Sequence, residues 1–475
     1  MKITEEEVQQ MVQQVLNKMT SQNGPMKTTS SISSISLGNG VFSTVDEAFK
    51  ASKKAMEEMS KMSLCKRKKM IAKMREMAKK HAEELAQLAV EETGLGRVED
   101  KTAKNLLASN KTPGVEDLVS ESFTGDNGMT LVEYAPMGIV GSITPTTNPA
   151  ATVINNSISL VAAGNVVIYN PHPSAKQVSL KTMQLLNDAI TSVGGPKNTL
   201  VSVSEPTIQT SEEIMKHPHI KYLLVTGGGA VVKAAMSTGK KVIAAGPGNP
   251  PVVVDETADI EKAAKDIVFG ASFDNNVLCT AEKEVFVVDS VANKLKQAMI
   301  KNKAIELKGF QLEKLLKVIM EEKDGKYRPN KDFVGKDATY LLNEAGINAA
   351  SDTRLIITET SKDHPLVNVE MLMPILPIVK VPNVEAAIEN AVKAEKGNHH
   401  TAMMHSQNMN NVTKMAQAIQ ATIFVNNGSS LAGLGYKGEG FTTLTIAGPT
   451  GEGLTSAKTF TRQRRFVSVD GLRII

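Results

Sequence analysis

The chain has 475 residues, 41% hydrophobic and 22% charged, with a formal net charge of +4, which suits two or three domains of ordinary soluble composition. The small charge, with no Lys/Arg stripe carrying interleaved aromatics, argues against nucleic acid as a partner. Two cysteines, Cys65 and Cys279, are too few for a disulfide framework or a cysteine zinc site, and no run of about 18 apolar residues exists to cross a membrane.

Residues 1–19, "MKITEEEVQQMVQQVLNKM", place Val8, Met11, Val12, Val15, Leu16 and Met19 at spacings of three and four, one apolar stripe on a short helix. Glu5, Glu6 and Glu7 in the first turn and Lys18 in the last suit the helix dipole. Residues 20–40 form a Ser/Thr/Gly-rich linker. A tethered helix cannot bury its own stripe, so residues 1–19 are expected to dock in a groove elsewhere. The N-terminus has no apolar signal core. With so few cysteines, a reducing, cytoplasmic setting is expected.

From Val41 to about Asn110 the pattern is helical. The basic run "CKRKKMIAKMREMAKK" carries Met and Ile at helical spacing and reads as an amphipathic helix with a solvated basic face. Cys65, among those methionines, reads as a buried structural cysteine. A D-N-G turn then opens strand signals in "TGDNGMTLVEYAPMGIVGSITP".

From Gly138 to about Val254 strands and helices alternate: "GIVGSITP", a helix from Pro149 ended by Gly164, "NVVIYNP", a helix from Ser174 to Val193, then "TLVSV", "IKYLLVTGG" and "KKVIAAG". Such alternation predicts a parallel sheet with helices on both faces, with ligands beyond the carboxyl ends of the strands. From about Asn249 the theme repeats through "PPVVVD", "EVFVV", "TRLIITET", "PILPIVKV" and "ATIFVNN". "RRFVSVDGLRII" reads as a last strand.

Several residues carry chemistry. "VTGGGAVVKAAM" is a strand-to-helix turn rich in glycine but without G-x-G-x-x-G; a nucleotide site or close helix packing would each explain it. Cys279, in "GASFDNNVLCTAEKEV", has Asp274, Asn275, Asn276 and Thr280 for neighbours, which suggests a polar loop. It is either a buried filler or a nucleophile whose thiolate needs donors or positive charge nearby. Asn148 lies between a strand end and a helix start, as an N-cap or as an amide donor to an oxyanion. His399, His400 and His405 crowd one segment, with no carboxylate or cysteine at ligand spacing beside them; a structural role at the strand end and proton transfer are readings open to them.

These pieces together resemble the aldehyde dehydrogenase superfamily, closely its CoA-acylating branch of ethanolamine and propanediol utilisation. The matching stretches run from about Val41 onward: "ETGLGRVEDK", "TGDNGMTLVEYAP", "TNPAATVINNSIS", "AAGPGNPPVVVDETADI", "GASFDNNVLCTAEKEV", "MLMPILPIV", "HHTAMMHS" and "PTGEGLTSA". The resemblance implies an α/β fold of two doubly wound domains, a Rossmann-like cofactor domain (41–123 and 137–247) and a catalytic domain (248–447), plus a small oligomerisation arm (124–136 and 458–475) of a homodimer or homotetramer. It implies that residues 1–19 are a peptide directing the enzyme to a bacterial microcompartment, through a shell or cargo protein.

It also implies roles. Cys279 matches the catalytic cysteine, and Asn148 the oxyanion-site asparagine, acting with the Cys279 backbone N–H. Glu370 matches the glutamate on the nicotinamide ribose, and Gly227 and Gly228 the turn at the pyrophosphate. Thr144, Pro145 and Gly246 lie along the NAD channel. Asn170 stands where hydrolytic relatives carry a lysine for the adenosine ribose, with His172 close by; the absence of a basic residue there favours NAD over NADP. Ala245 stands where those relatives carry the glutamate that activates water. Without that base, the acyl group on Cys279 is expected to pass to coenzyme A, giving reversible oxidation of a short aldehyde, acetaldehyde first. Glu256, Glu282 and Glu284 are the carboxylates nearby in sequence weighed as replacements for the base. The resemblance also implies no metal at His399, His400 and His405, and adds CoA contact to the readings open to them. An acyl-phosphate reductase, a cysteine hydrolase and a non-catalytic microcompartment protein are the competing readings.

Overall fold

The structure is a computed structural model that describes residues 37–323 and 325–475. The docking helix expected over residues 1–19, and most of the linker, lie outside the described residues.

Two parallel sheets organise the fold. The first has six strands in the order Val41–Phe42, Leu200–Val203, Val166–Pro171, Ile139–Thr144, Tyr222–Thr226 and Lys241–Ala245, every pair parallel. The strand Ile139–Thr144 starts the alternating run. The chain builds outward on one side through Val166–Pro171 and Leu200–Val203, then returns to add Tyr222–Thr226 and Lys241–Ala245 on the other. Strand order therefore reverses between Ile139–Thr144 and Tyr222–Thr226, which opens a crevice at their carboxyl ends. Val166–Pro171 is buried at every position, as a central parallel strand covered on both faces must be.

The second sheet has seven strands, in the order Ala304–Glu306, Leu355–Glu359, Ile375–Val381, Glu284–Val288, Pro251–Val254, Thr401–His405 and Ile423–Asn426, again all parallel. Val252, Val253, Phe286, Val287, Leu376 and Ile378 sit at the centre of its core, each at most 1% exposed. A third, antiparallel sheet joins Glu121–Gly125, Gly128–Pro136 and Thr461–Val469, so the last strand pairs with a hairpin far away in sequence.

Helix Pro149–Ala162 is buried along its whole length. Pro149 presets the first-turn φ, and Gly164 follows the end with φ +84°, a conformation that costs glycine little. Among its polar side chains, Asn155 Nδ2 donates to Thr112 Oγ1 at 2.9 Å, and the Ser157 hydroxyl pairs with that of Tyr169 at 2.8 Å.

Two expectations need correction. The segment after Val41 is not wholly helical: Val41–Phe42 is an edge strand on Leu200–Val203, and two residues show no period in a sequence. Helix Leu64–Lys80 does bury Met70, Ile71, Met74 and Ala78, but Cys65 is exposed. It lies in the first turn, off the face that those residues define. Among the described residues no helix is long and apolar enough to cross a membrane.

Candidate active site

A cavity of about 620 Å³ lies at the carboxyl ends of the first sheet, closed from the other side by loops of the second. Thr144, Pro145, Asn148, Asn170, His172, Gly227, Gly228, Gly246, Cys279 and Glu370 all line it. The sequence scatters these residues; the fold brings all of them to one wall or another.

The sulfur sits on an unusual loop. After helix Ile260–Ser272, Asp274, Asn275 and Asn276 take φ of 49°, 54° and 65° in succession, a region that Asp and Asn enter more readily than other side chains. They form a polar loop, as their residue types suggested, but a buried one, each at most 2% exposed, and the structure supplies partners. Asp274 Oδ1 accepts from the Arg97 backbone N–H at 2.8 Å, and the Asp274 N–H donates to Asp100 Oδ2 at 2.8 Å. Asn276 Nδ2 donates to the carbonyls of Ala271 and Glu282 at 2.8 and 3.0 Å. Lys283 Nζ donates to Asn276 O, Asn276 Oδ1 and Leu278 O at 2.9, 2.6 and 3.2 Å, which replaces the water a buried ammonium has lost.

Cys279 is half-buried. Burial, and then the Glu370 charge, push its thiol up to about 12, while Lys283, its own backbone N–H and Lys104 pull the other way. The resting group at neutral pH is therefore the thiol. Burial also raises Glu370, opposed by Lys283 and by the Gly248 N–H donated to its carboxylate.

Asn148 occupies the N-cap position of helix Pro149–Ala162 but makes no side-chain cap bond. Its Oδ1 instead accepts from Lys104 Nζ at 2.5 Å, and its Nδ2 donates to Thr147 Oγ1 at 3.1 Å. Lys104 also pairs with Asp274, which Lys101 reaches at 3.1 Å. Burial brings the Lys104 ammonium down to about 8, with Asp274 opposing the fall and Lys101 adding to it. Lys101 and Lys104 come from helix Val98–Lys111, and the sequence reading missed both. The signal was there: two lysines three apart share the face of Ala108, which is fully buried.

The glycine turn reads more clearly in three dimensions. Gly228 caps helix Gly229–Met236. A Cβ on Gly228 or Gly229 would meet nothing within 4 Å, and one on Gly227 only the Val231 side chain at 3.8 Å. Helix packing therefore does not require these glycines. The bare turn fits a phosphate-bearing group approaching the backbone N–H groups of a helix start, and Ile208, Met215, Val231 and Ala234 give the cavity an apolar flank beside it. At the end of Val166–Pro171, both kinds of polar atom on Asn170 are engaged. Oδ1 accepts from Thr210 Oγ1 at 2.7 Å, and Nδ2 donates to Thr207 O at 3.2 Å. Asn170 thus fastens the start of helix Ile208–Lys216, itself a cavity wall. His172 is exposed, and its Nδ1 accepts from the Ser174 N–H at 3.1 Å.

Ala245 lines the cavity with its methyl group. Of the carboxylates weighed as substitutes for a base, Glu282 accepts from Ser430 N and Oγ, both at 2.8 Å. Glu284 accepts from Asn249 at 3.2 Å, and Glu256 is exposed. None of the three lines the cavity, whose carboxylates are Glu212 and Glu370. The histidines separate. His399 is exposed, His405 is buried in the strand Thr401–His405, and His400 packs near the Cys279 carbonyl through Gly248. Burial lowers His400 to about 4, so it is neutral, with Nδ1 against Thr401 Oγ1 at 2.8 Å.

Comparison with known proteins gives a consistent result. The model of the aldehyde dehydrogenase family matches residues 17–439. The chain is 50% identical to the acetaldehyde dehydrogenase (acetylating) EutE of Salmonella typhimurium, over the full length of both. It is similar to the propionaldehyde dehydrogenase of Rhodopseudomonas palustris solved with bound CoA and an acylated cysteine (TM-score 0.90, 48% identity, 92% of this chain and 100% of that one). It is also similar to a propionaldehyde dehydrogenase from the fucose utilisation microcompartment of Clostridium phytofermentans (TM-score 0.90, 47% identity, 92% and 100%). With a family model spanning most of its length and a full-length relative at half identity, the chain belongs to the aldehyde dehydrogenase family.

Proposed function

We propose that this protein oxidises a short-chain aldehyde with NAD and hands the acyl group to coenzyme A through a thioester on Cys279. One observation carries the reading: Cys279 and Asn148 line a single cavity with Ala245, the residue that the resemblance sets at the position of a water-activating glutamate. The activities named for the acetylating and propanoylating relatives, and the acylated cysteine of the Rhodopseudomonas structure, support it.

The chain's own groups divide the work. The sulfur of Cys279 adds to the aldehyde carbonyl once its proton has left. Lys283 and Lys104, both nearby positive charges, favour the thiolate against the burial that opposes it. The carbonyl oxygen becomes an oxyanion, to which Asn148 Nδ2 and the Cys279 N–H donate, and such preorganised donors contribute on the order of 10²–10³-fold. Gly227, Gly228 and Gly246 would hold NAD at the crevice with Thr144 and Pro145, and Glu370 would hold its nicotinamide end. Bound there, NAD would supply the acceptor for the hydride that leaves the adduct on Cys279, whose carbon then becomes that of an acyl thioester. Asn170 and His172 shape the adenosine end, and Asn170, which stands where hydrolytic relatives carry a lysine, leaves no basic residue in that strand-end position for a 2′-phosphate, which favours NAD. Water in this cavity lacks a positioned base, which typically contributes about 10²–10⁴-fold. The thiol of coenzyme A needs less help, because thiolate is the stronger nucleophile and one thioester replaces another.

The first sheet, with residues 41–123 and 137–247, serves as the cofactor domain, and residues 248–447 as the catalytic domain. Segments 124–136 and 458–475 meet in the antiparallel sheet, where Phe123, Phe466 and Val467 are each more than half exposed, as an arm joining a homodimer or homotetramer requires. Residues 1–19 direct the enzyme, through a shell or cargo protein, into a microcompartment in the cytoplasm; the microcompartment origin of the Clostridium relative supports this.

The test is aldehyde plus NAD, with and without coenzyme A, following NADH and the acyl product. Turnover that needs coenzyme A and yields acyl-CoA is expected, lost in Cys279→Ala and kept in Cys65→Ala. Free acid formed at the same rate without coenzyme A would overturn the reading and point to Glu370 as a base for water. Removing residues 1–19 should leave activity intact and abolish encapsulation.

A further inference from the structure

We infer that Lys104 is a positioning residue for the oxyanion site: it fixes which end of the Asn148 amide faces the cavity and polarises the N–H offered there. The inference rests on the reading above, in which Asn148 and Cys279 act on a carbonyl.

A primary amide has two ends of nearly equal size, one donating and one accepting. Turned one way, Asn148 offers N–H to a developing oxyanion. Turned the other, it offers a carbonyl oxygen that repels the same charge. Thr147 Oγ1, the partner of Nδ2 at 3.1 Å, is a hydroxyl that donates or accepts and would satisfy either orientation. Lys104 removes the ambiguity. An ammonium has only donors, so the Asn148 atom 2.5 Å from its Nζ must be Oδ1, and Nδ2 keeps a hydrogen for the cavity.

The lysine is itself fixed. Its Nζ also binds Asp274 Oδ2, which accepts from Lys101 at 3.1 Å, while Asp274 Oδ1 takes the Arg97 N–H at 2.8 Å. Lys101 Nζ reaches the Thr147 carbonyl at 3.1 Å, so one helix holds both the Asn148 amide and the peptide before it. Lys101, Lys104 and Asp274 are each at most 4% exposed. Asp100, the next carboxylate, contacts Arg354 at 3.4 Å. Two ammonium groups thus share one carboxylate oxygen, which leaves positive charge beside the amide. In a poorly solvated site that charge strengthens the donor on the amide's far side. Lys104 is not among the cavity-lining residues and is the weakest of the groups that favour the Cys279 thiolate, so its main influence passes through Asn148.

The experiment is a double-mutant cycle on the full-length enzyme, with Lys104→Met, Asn148→Ala and the pair, read as kcat with aldehyde, NAD and coenzyme A and as the dissociation constant for NAD. Lys104→Met should lower kcat by about 10- to 100-fold, a large share of what loss of an oxyanion donor costs, with NAD affinity within about twofold of wild type. In the Asn148→Ala background the same substitution should cost less than about twofold, because residues acting as a unit are not additive. Lys104→Arg keeps a donor-only cation and should retain more activity than Lys104→Met. Should Lys104→Met fail to fold, Lys104→Arg is carried through the same cycle, where its loss should vanish in the Asn148→Ala background. Losses that multiply, or a Lys104→Met enzyme with wild-type kcat, would overturn the inference. A wild-type enzyme without NADH formation, or an Asn148→Ala enzyme of full activity, would instead overturn the functional reading beneath it.

Discussion

Gly248 presses on the loop of Cys279: a Cβ there would stand 2.6 Å from the Cys279 carbonyl oxygen and 3.1 Å from Cγ of His400. Its N–H also donates to the Glu370 carboxylate. One glycine thus touches the sulfur's loop, a neutral histidine and the carboxylate whose charge raises the thiol. Gly248→Ala must push the loop or the ring aside. Overpacking of this kind costs about 1–3 kcal/mol, and a shift near 1 Å at a reacting group costs roughly 10²-fold in rate. We expect kcat/KM to fall by about that factor, with a lower thermal midpoint, measured by steady-state kinetics and calorimetry.

Ala245→Glu restores a carboxylate to the cavity wall where the methyl group now sits. The expected outcome is NADH formation without coenzyme A and release of free acid, with hydrolysis rising by at most about 10²–10⁴-fold. Product analysis by chromatography, with coenzyme A omitted, measures it. An enzyme still wholly dependent on coenzyme A would show that the acceptor is chosen by something other than this one side chain.

Glu370 raises the Cys279 thiol, so Glu370→Gln should lower it. The sign follows directly: a nearby negative charge disfavours a second one, and removing it lets the thiolate form at lower pH. Alkylation by iodoacetamide, followed from pH 7 to 10, should be faster in Glu370→Gln at each pH below the thiol's own titration. Turnover should fall in the same variant if Glu370 also holds the nicotinamide end.

Burial raises Glu282 to about 7, opposed by the bonds it accepts from Ser430. The folded chain therefore keeps a proton that the unfolded chain gives up near pH 4.3. The stability Glu282 contributes is full below that pH and is lost as pH rises through about 7. Glu282→Gln stays neutral throughout, so its stability relative to wild type should increase from pH 5.5 to pH 8, by on the order of 1–3 kcal/mol. Urea unfolding at the two pH values tests this; a constant difference would show that Glu282 is ionised at both.

Much of the architecture was legible from residue order. Strands such as "NVVIYNP" and "EVFVV" lie where apolar runs bounded by Asn, Pro or Asp placed them, because a strand covered on both faces tolerates few polar residues. The two-residue strand Val41–Phe42 was missed because it is too short to carry a period. Cys65 was misread as buried because the methionines near it define a helical face that it does not share.

What the sequence alone determined is the set of candidate groups that line the cavity: a cysteine, an asparagine at a strand-to-helix junction, a bare glycine turn, and an alanine where the resemblance sets a base. Each is set by chemistry that neighbouring residues cannot supply. The tertiary structure decided how those groups behave. Asn148 makes no side-chain cap bond to its helix, and its Oδ1 is held instead by Lys104, 44 positions away in the chain. The protonation of Cys279 depends on Glu370, Lys283 and burial together. Charge and desolvation act through space over a few ångströms, and only folding sets which groups lie that close.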